Sequence, residues 1–448
     1  MLSTVVLHRP GFSLWNNEEE KKVDSFTINQ KHREYLFPCV ANYYATSLPL
    51  KRGEGLFVYD WEDKKYLDFF GGILTVSIGH CQPEIVKEIE DQIHTLQHTS
   101  TLYPTYPMVM LAEKLSQITP GTLKKAFFTN SGTEANETAV LAAQLRTGAR
   151  EIVALRHSYH GRSFLAMNLT GHAAWKIVGN YIGGVTHARS PYCFRCEFGA
   201  TYPNCEIECA KDIDELIKTT TSGKIAAFIA EPIQGVGGFI TPPKEYFEVA
   251  VGIIRKYGGL FISDEVQTGF GRTGGKWFGI EHWGVEPDLM TFAKGLANGV
   301  PIGVTMATPE VADSFKGSSI STFGGNPVSA RAGLATLRYI EEHHLVNQVQ
   351  EVGNYFKDKL LELKEKYPLI GDVRGKGLML GMELVKENKE PAVDEILRLF
   401  ENTKKRGLLI GKGGLYSNVV RIAPPMTVDQ SAIDEAIRIL DQAFEEIS

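Results

Sequence analysis

The 448-residue sequence predicts an α/β fold, with a large domain built on a mostly parallel central sheet flanked by helices and a smaller α+β domain. Three observations carry this. Between about Glu84 and Met306, short apolar runs alternate with helical stretches. Those runs are continuous rather than alternating in polarity, as strands buried on both faces are. Beyond Asn326 the text changes to amphipathic helices with isolated strands between them.

Taken in order, residues 1–55 are polar with aromatic punctuation at Tyr43 and Tyr44 and read as an arm. A short meander follows, Leu56–Asp60 and Lys65–Phe69, turning at Glu62-Asp63-Lys64. The apolar runs are Ala126–Phe128, Ile152–Leu155, Ile225–Ala230, Leu260–Ser263, Leu289–Ala293 and Ile302–Met306. After them come helices Ala330–Glu342 and Val346–Tyr367, a strand Met379–Val385 and helix Val393–Lys405. Strands Leu408–Ile410 and Val419–Ala423 and a last helix Ser431–Ile447 complete the chain. The expected division is 1–66 for the arm and part of the small domain, 67–325 for the large domain, and 326–448 for the C-terminal small domain.

Composition excludes several classes. Apolar residues are 43% and charged residues 22%, which suits a globular protein and not a disordered one. A formal net charge of −6 argues against nucleic-acid binding through bulk charge. Apolar runs as short as Ile225–Ala230 cannot cross a membrane, which takes about 18 or more residues. Met1–Glu20 lacks an apolar core behind a basic start, and Glu18-Glu19-Glu20 is wrong for a transit peptide, so the expected location is cytoplasmic.

Six cysteines are too few for a disulfide scaffold of this length, yet four cluster as Cys193, Cys196, Cys205 and Cys209. This C-x2-C-x8-C-x3-C pattern reads either as a small structural zinc knuckle or as reduced thiols in a surface loop.

The chemistry begins at Phe127–Glu137, where an apolar strand runs into Ser131-Gly132-Thr133 and then an alanine-rich helix. Such a turn is a ready anion site, with free N–H groups and hydroxyls at a helix start, or simply a capped turn. At Leu260–Gln267 two carboxylates, Asp264 and Glu265, end a buried strand, where open α/β sheets bind ligands. A buried aspartate there needs a cationic, hydrogen-bonding or metal partner, and no second ligand set lies nearby. Gly269–Gly274 matches G-x-G-x-x-G, the best case for a nicotinamide site. The glycines and Pro287 that follow break the helix such a fingerprint must open, so this is a loop.

Lys294 directly follows the strand before Gly295, at the same sheet edge as Asp264. It is either a surface charge or a desolvated lysine of the kind that forms Schiff bases. An anion cradle, an aspartate and a lysine together point to pyridoxal 5'-phosphate. The cradle would take the phosphate, Asp264 the pyridinium nitrogen, and Lys294 the aldehyde.

These motifs, with Ser158–Gly161, Ala230–Gly235 and Thr322–Pro327, resemble the class III pyridoxal-phosphate-dependent aminotransferases of fold type I over essentially the whole chain. Tyr66–Phe70, His98–Thr101, Gly371–Leu378 and Arg421–Pro424 are most similar to the alanine–glyoxylate aminotransferase 2 and β-alanine aminotransferase branch. The turn Glu62-Asp63-Lys64-Lys65 departs from the family, which usually carries a glycine there.

The resemblance implies roles. Lys294 binds the cofactor and later moves a proton, and Asp264 keeps the ring nitrogen protonated. Gln267 contacts the ring oxygen, while Val266 and Tyr159 lie on its two faces. Ser131, Gly132 and Thr133 hold the phosphate with Thr322 of a neighbouring subunit, which implies a homodimer with shared active sites, itself able to build a tetramer. Arg421 takes an α-carboxylate, Glu231 is an acidic gate that can neutralise it, and Arg162 takes a remote carboxylate or else forms a structural ion pair. The implied reaction is ping-pong transfer from an ω- or β-amino acid, or alanine, to pyruvate or glyoxylate. Racemase, mutase or phospho-lyase chemistry on the same scaffold is the alternative.

Overall fold

Seven strands form the central sheet of the computed structural model, which describes residues 23–40, 42–179 and 182–447. They are β1 (Lys125–Thr129), β2 (Glu151–Leu155), β3 (Val185–Ala188), β4 (Ile225–Ala230), β5 (Leu260–Asp264), β6 (Leu289–Phe292) and β7 (Gly303–Ala307). Their order is β1-β7-β6-β5-β4-β2-β3. Only β7 is reversed, running antiparallel to both β1 and β6. The mostly parallel sheet read from the apolar runs is therefore present.

The continuous runs arise because both faces are covered. Every residue of β4, β6 and β7 is buried. Ile152, Ala154, Ala227, Ile229 and Ile262 point to one face, against Ala139, Val140 and Ala143 of helix Gly132–Thr147. Val153, Leu155, Phe228, Ala230 and Phe261 point to the other, into a core shared with helices Glu208–Thr220 and Tyr246–Lys256. This is the two-residue alternation of a pleated strand, hidden in the sequence because both sets are apolar.

Two four-stranded sheets build the small domain. Strands Leu50–Glu54, Phe57–Asp60 and Lys65–Asp68 form an antiparallel meander, closed by Leu408–Leu409 lying parallel to Lys65–Asp68. The expected boundary after residue 66 thus falls inside a strand. The second sheet orders Ile370–Lys376, Met379–Leu384, Val419–Ile422 and Gly411–Gly413, all antiparallel. Helices Leu345–Lys366, Val393–Lys405 and Gln430–Glu445 pack with these sheets. In the meander turn Asp63 takes φ +59°, a left-handed conformation that glycine adopts without a Cβ penalty.

Strands β3, Leu50–Glu54 and Ile370–Lys376 carry polar, charged or glycine residues at half or more of their positions, so no apolar run announced them. Segment Gly269–Gly274 is a loop, as expected from the glycines around it. Of the arm read over residues 1–55, residues 1–22 and 41 lie outside the described residues, and with them the stretch Met1–Glu20 on which the expected location rests. Among the described residues no helix is long and apolar enough to cross a membrane.

Candidate active site

Because β1, β2, β4, β5 and β6 point the same way, the segments that leave their carboxyl ends converge at one edge of the sheet. A cavity of about 320 Å³ opens there, lined by Ser131, Gly132, Thr133, Tyr159, Arg162, Glu231, Asp264, Val266, Gln267 and Lys294. These come from five separate stretches of sequence, brought together by sheet order alone. A larger cleft of about 830 Å³, beside Cys193 and Cys196, assembles no such set.

Ser131 caps helix Gly132–Thr147, its hydroxyl accepting from Glu134 N at 3.3 Å, while Glu134 accepts from Asn130 N at 2.6 Å. The N–H groups of Gly132 and Thr133 are left for a ligand, at the positive end of a 16-residue helix. A side chain at residue 132 would meet Val266 at 2.9 Å, so glycine lets the backbone approach the cavity floor. Gly161 is equally constrained: it has φ +135°, and a Cβ there would lie 2.4 Å from Thr133 Oγ1.

Asp264 ends β5 and is buried. Its Oδ2 lies 2.7 Å from His160 Nδ1 and accepts from Asn136 Nδ2 at 2.8 Å, while Oδ1 accepts from Val266 N at 3.1 Å. Asn136 also donates to His160 O at 2.9 Å and accepts from Thr291 at 2.7 Å. Sequence reading assigned no role to Asn136 or His160. The available signal was Asn136 itself, a polar residue on a helix face otherwise made of Ala135, Ala139, Ala142 and Ala143.

Lys294 follows β6 with φ +42°, a left-handed backbone unusual for a lysine. Asn298 braces the segment from behind by donating to Gly79 O at 2.9 Å and accepting from Ile78 N at 3.0 Å. Gly295 packs so closely on Ser77 that a Cβ would sit 2.4 Å from its hydroxyl. Lys294 is half-buried and lines the cavity. That burial pushes its ammonium down from the ordinary lysine range, against the pull of Asp264 and Glu231.

Tyr159 stands against Trp175 with ring centroids 5.5 Å apart. Buried Gln267 leans on Gly235, where a Cβ would lie 2.2 Å from its amide nitrogen. Gln267 Oε1 and His160 Nε2 are buried without a hydrogen-bond partner among the described residues. Polar atoms left open beside a cavity are what a polar ligand completes. The donors, the carboxylate and the lysine thus fit pyridoxal phosphate, which needs an anion cradle, an acid partner for its nitrogen and an amine.

Glu231, just past β4, is held by two backbone amides, Tyr159 N and Gly235 N, each at 2.9 Å. Burial pushes its carboxyl up to about 7. Arg421 lies behind the Gly235 turn, donating to Gly235 O at 3.2 Å and Lys412 O at 3.0 Å, between the rings of Phe70 and Phe239. Among the described residues no carboxylate pairs with it. Arg162 is exposed at the cavity wall, and likewise forms no ion pair among the described residues.

Thr322 is exposed and does not line this chain's own cavity. Cys193, Cys196, Cys205 and Cys209 are free thiols lining one small cavity, with burial pushing Cys209 up to about 12. Among the described residues no three His, Cys, Asp or Glu side chains are grouped so as to hold a metal ion. The zinc alternative therefore finds no ligand set in this arrangement.

A sheet-edge site with this lysine, aspartate and anion cradle defines a pyridoxal-phosphate enzyme. Residues 40–444 match the family model described as aminotransferase class-III, and the chain belongs to that family. An Arabidopsis thaliana protein named alanine–glyoxylate aminotransferase 2 homolog 2, mitochondrial, is 44% identical over 422 residues, covering 93% of this chain and 87% of its own. A Thermococcus litoralis leucine/methionine racemase is 37% identical, covering 92% of this chain and 94% of its own. A solved amine transaminase from an uncultivated Pseudomonas species, in its PLP-bound form, superposes with a TM-score of 0.87 at 28% identity. That likeness covers 92% of this chain and 99% of the other.

Proposed function

We propose that this aminotransferase moves an amino group from an ω- or β-amino acid, or from alanine, to a 2-oxoacid such as pyruvate or glyoxylate. The observation that carries the reading is Glu231 held by Tyr159 N and Gly235 N while Arg421 has no carboxylate partner among the described residues. A buried, unpaired guanidinium is a receptor for a substrate carboxylate, and a carboxylate nearby can neutralise it when the substrate brings none. Arg162, at the cavity wall and in no ion pair among the described residues, supplies a second cation for a remote carboxylate. One site then serves two substrates in turn, as a ping-pong sequence requires.

In this reading bound pyridoxal phosphate supplies an electron sink for the carbanion at substrate Cα. Asp264, oriented by His160 and Asn136, holds a proton at the ring nitrogen. Ser131, Gly132 and Thr133 would hold the phosphate, Val266 and Tyr159 would pack against the ring, and Gln267 would meet its ring oxygen. Lys294, its amine made less basic by burial, would hold the aldehyde end of the cofactor and carry the proton at substrate Cα. Thr322 reaches the phosphate of a neighbouring subunit in a homodimer. Exposed Ile320 and Phe323 beside it support this, since such apolar surface calls for cover.

We keep the division between large and small domain at 325/326 as a proposal, and place the first boundary after Asp68 so that strand Lys65–Asp68 stays with its partner Leu408–Leu409. For the compartment, Glu18-Glu19-Glu20 supports the cytoplasm, whereas the Arabidopsis relative is named as mitochondrial. Fractionation of cells making the tagged protein decides between them.

The test adds β-alanine and L-alanine separately to protein loaded with pyridoxal phosphate and follows its visible absorption. Bleaching with release of the matching oxoacid, reversed by pyruvate or glyoxylate, is the expected result, and Lys294→Ala abolishes it. The racemase relative makes a second outcome specific: formation of D-alanine with no oxoacid would replace the transfer reading by racemisation.

A further inference from the structure

Both amides that hold Glu231 belong to segments gripped by one buried cluster centred on Glu383. Glu383, on strand Met379–Leu384, is fully buried and accepts from Tyr192 Oη, from Arg195 Nε and, at 2.8 Å, from Arg374 Nη1. Burial works to raise its carboxyl, but Arg374, Tyr192 and Arg195 outweigh it and hold the group below the usual carboxylate range.

From this cluster two arms reach the site. Arg374 Nε donates to Gly238 O at 2.8 Å, and Gly238 N closes the turn on Gly235 O at 3.1 Å. Gly235 N then holds one oxygen of Glu231. On the other side Tyr192, which also accepts from Arg374 Nη2 at 3.1 Å, stands edge-on to His157 with centroids 5.7 Å apart. Two residues on, Tyr159 N holds the second oxygen of Glu231. The arms meet again where Gly237 packs on His157 O, so close that a Cβ would lie 2.8 Å away.

We propose that Glu383 is a positioning residue: by locking Tyr192 and Arg374 it fixes the amides of Tyr159 and Gly235, which keep Glu231 off Arg421. The inference rests on the amino-transfer reading of Glu231 and Arg421. When the lock loosens, the two buried opposite charges attract and pair. Arg421 is then neutralised and loses its grip on an α-carboxylate, whereas a donor whose carboxylate is remote is untouched. Glu383 touches no reacting atom, and its effect is on substrate choice.

The experiment measures the separate half-reactions of the holoenzyme at pH 8, above the value of about 7 for Glu231, so that its carboxylate is charged. Pyruvate and L-alanine test the α-carboxylate site and β-alanine the remote one. In E383Q the apparent dissociation constants for pyruvate and L-alanine should rise roughly fivefold or more, with that for β-alanine within about twofold. Y192F, which keeps the ring, should shift them in the same direction and serves alone if E383Q does not fold. In an E231Q background E383Q should add nothing. Equal weakening of all three substrates, or the same loss with E231Q present, would overturn the inference while leaving amino transfer standing. Lack of transfer by the unmodified enzyme would overturn both.

Discussion

His160 Nδ1 lies 2.7 Å from Oδ2 of Asp264, and the same oxygen accepts from Asn136 at 2.8 Å. One oxygen of the aspartate is thus held from two sides by side chains of two different segments. Rotation of the carboxylate would break both bonds at once.

Asn136→Ala removes one of these bonds and also leaves Thr291 and His160 O without their partner. Removing one member of a buried pair costs about 1–3 kcal/mol, so pyridoxal phosphate affinity should fall about tenfold or more. Titration of the variant by cofactor absorption checks this. Unchanged affinity would mean that Asn136 only packs.

Arg162→Gln should leave thermal stability within about 0.5 kcal/mol, because the side chain is exposed and unpaired among the described residues. Turnover should change selectively. KM for β-alanine is expected to rise about tenfold, the scale of one lost charged hydrogen bond, with kcat for L-alanine little changed. A loss of stability instead would reveal a structural role for this arginine.

Acid should destabilise the fold through three histidines. Burial lowers His157, His187 and His282 each to about 4, so the folded state excludes a proton that the unfolded chain takes up near pH 6.5. Their contribution is present above about pH 6.5 and is lost as pH falls through about 4. Glu231 and Glu265, raised by burial to about 7, act with the opposite sign, losing stability as pH rises from about 4.5 to 7. His187→Asn isolates one histidine: its Tm should drop less than the wild type's between pH 7 and pH 5. An identical pH profile would refute the assignment.

The cysteine loop makes a simple prediction. With four free thiols and no grouped ligand set among the described residues, exhaustive chelation should leave Tm unchanged. A fall in Tm restored by zinc would establish a metal site after all.

How much was legible without coordinates follows from particular residues. Strands β4 to β6 announced themselves because burial on both faces demands unbroken apolar runs, and Lys294, Asp264 and Ser131-Gly132-Thr133 stood out at the ends of such runs. Helix Val393–Lys405 was readable to the residue from its one-sided apolar stripe. Polar edge strands such as Val185–Ala188 carried no comparable signal.

By itself, the sequence determined which local elements form, which residues carry chemistry, and the family to which they point. The tertiary structure decided their company. Asn136 and Asp264 are 128 residues apart, and only the sheet order sets one against the other. Glu231 is held for the same reason: its two amide partners lie 72 residues upstream and four residues downstream. Hydrophobic periodicity reports which face of an element is buried, and a hydrogen bond between distant segments leaves no periodic trace.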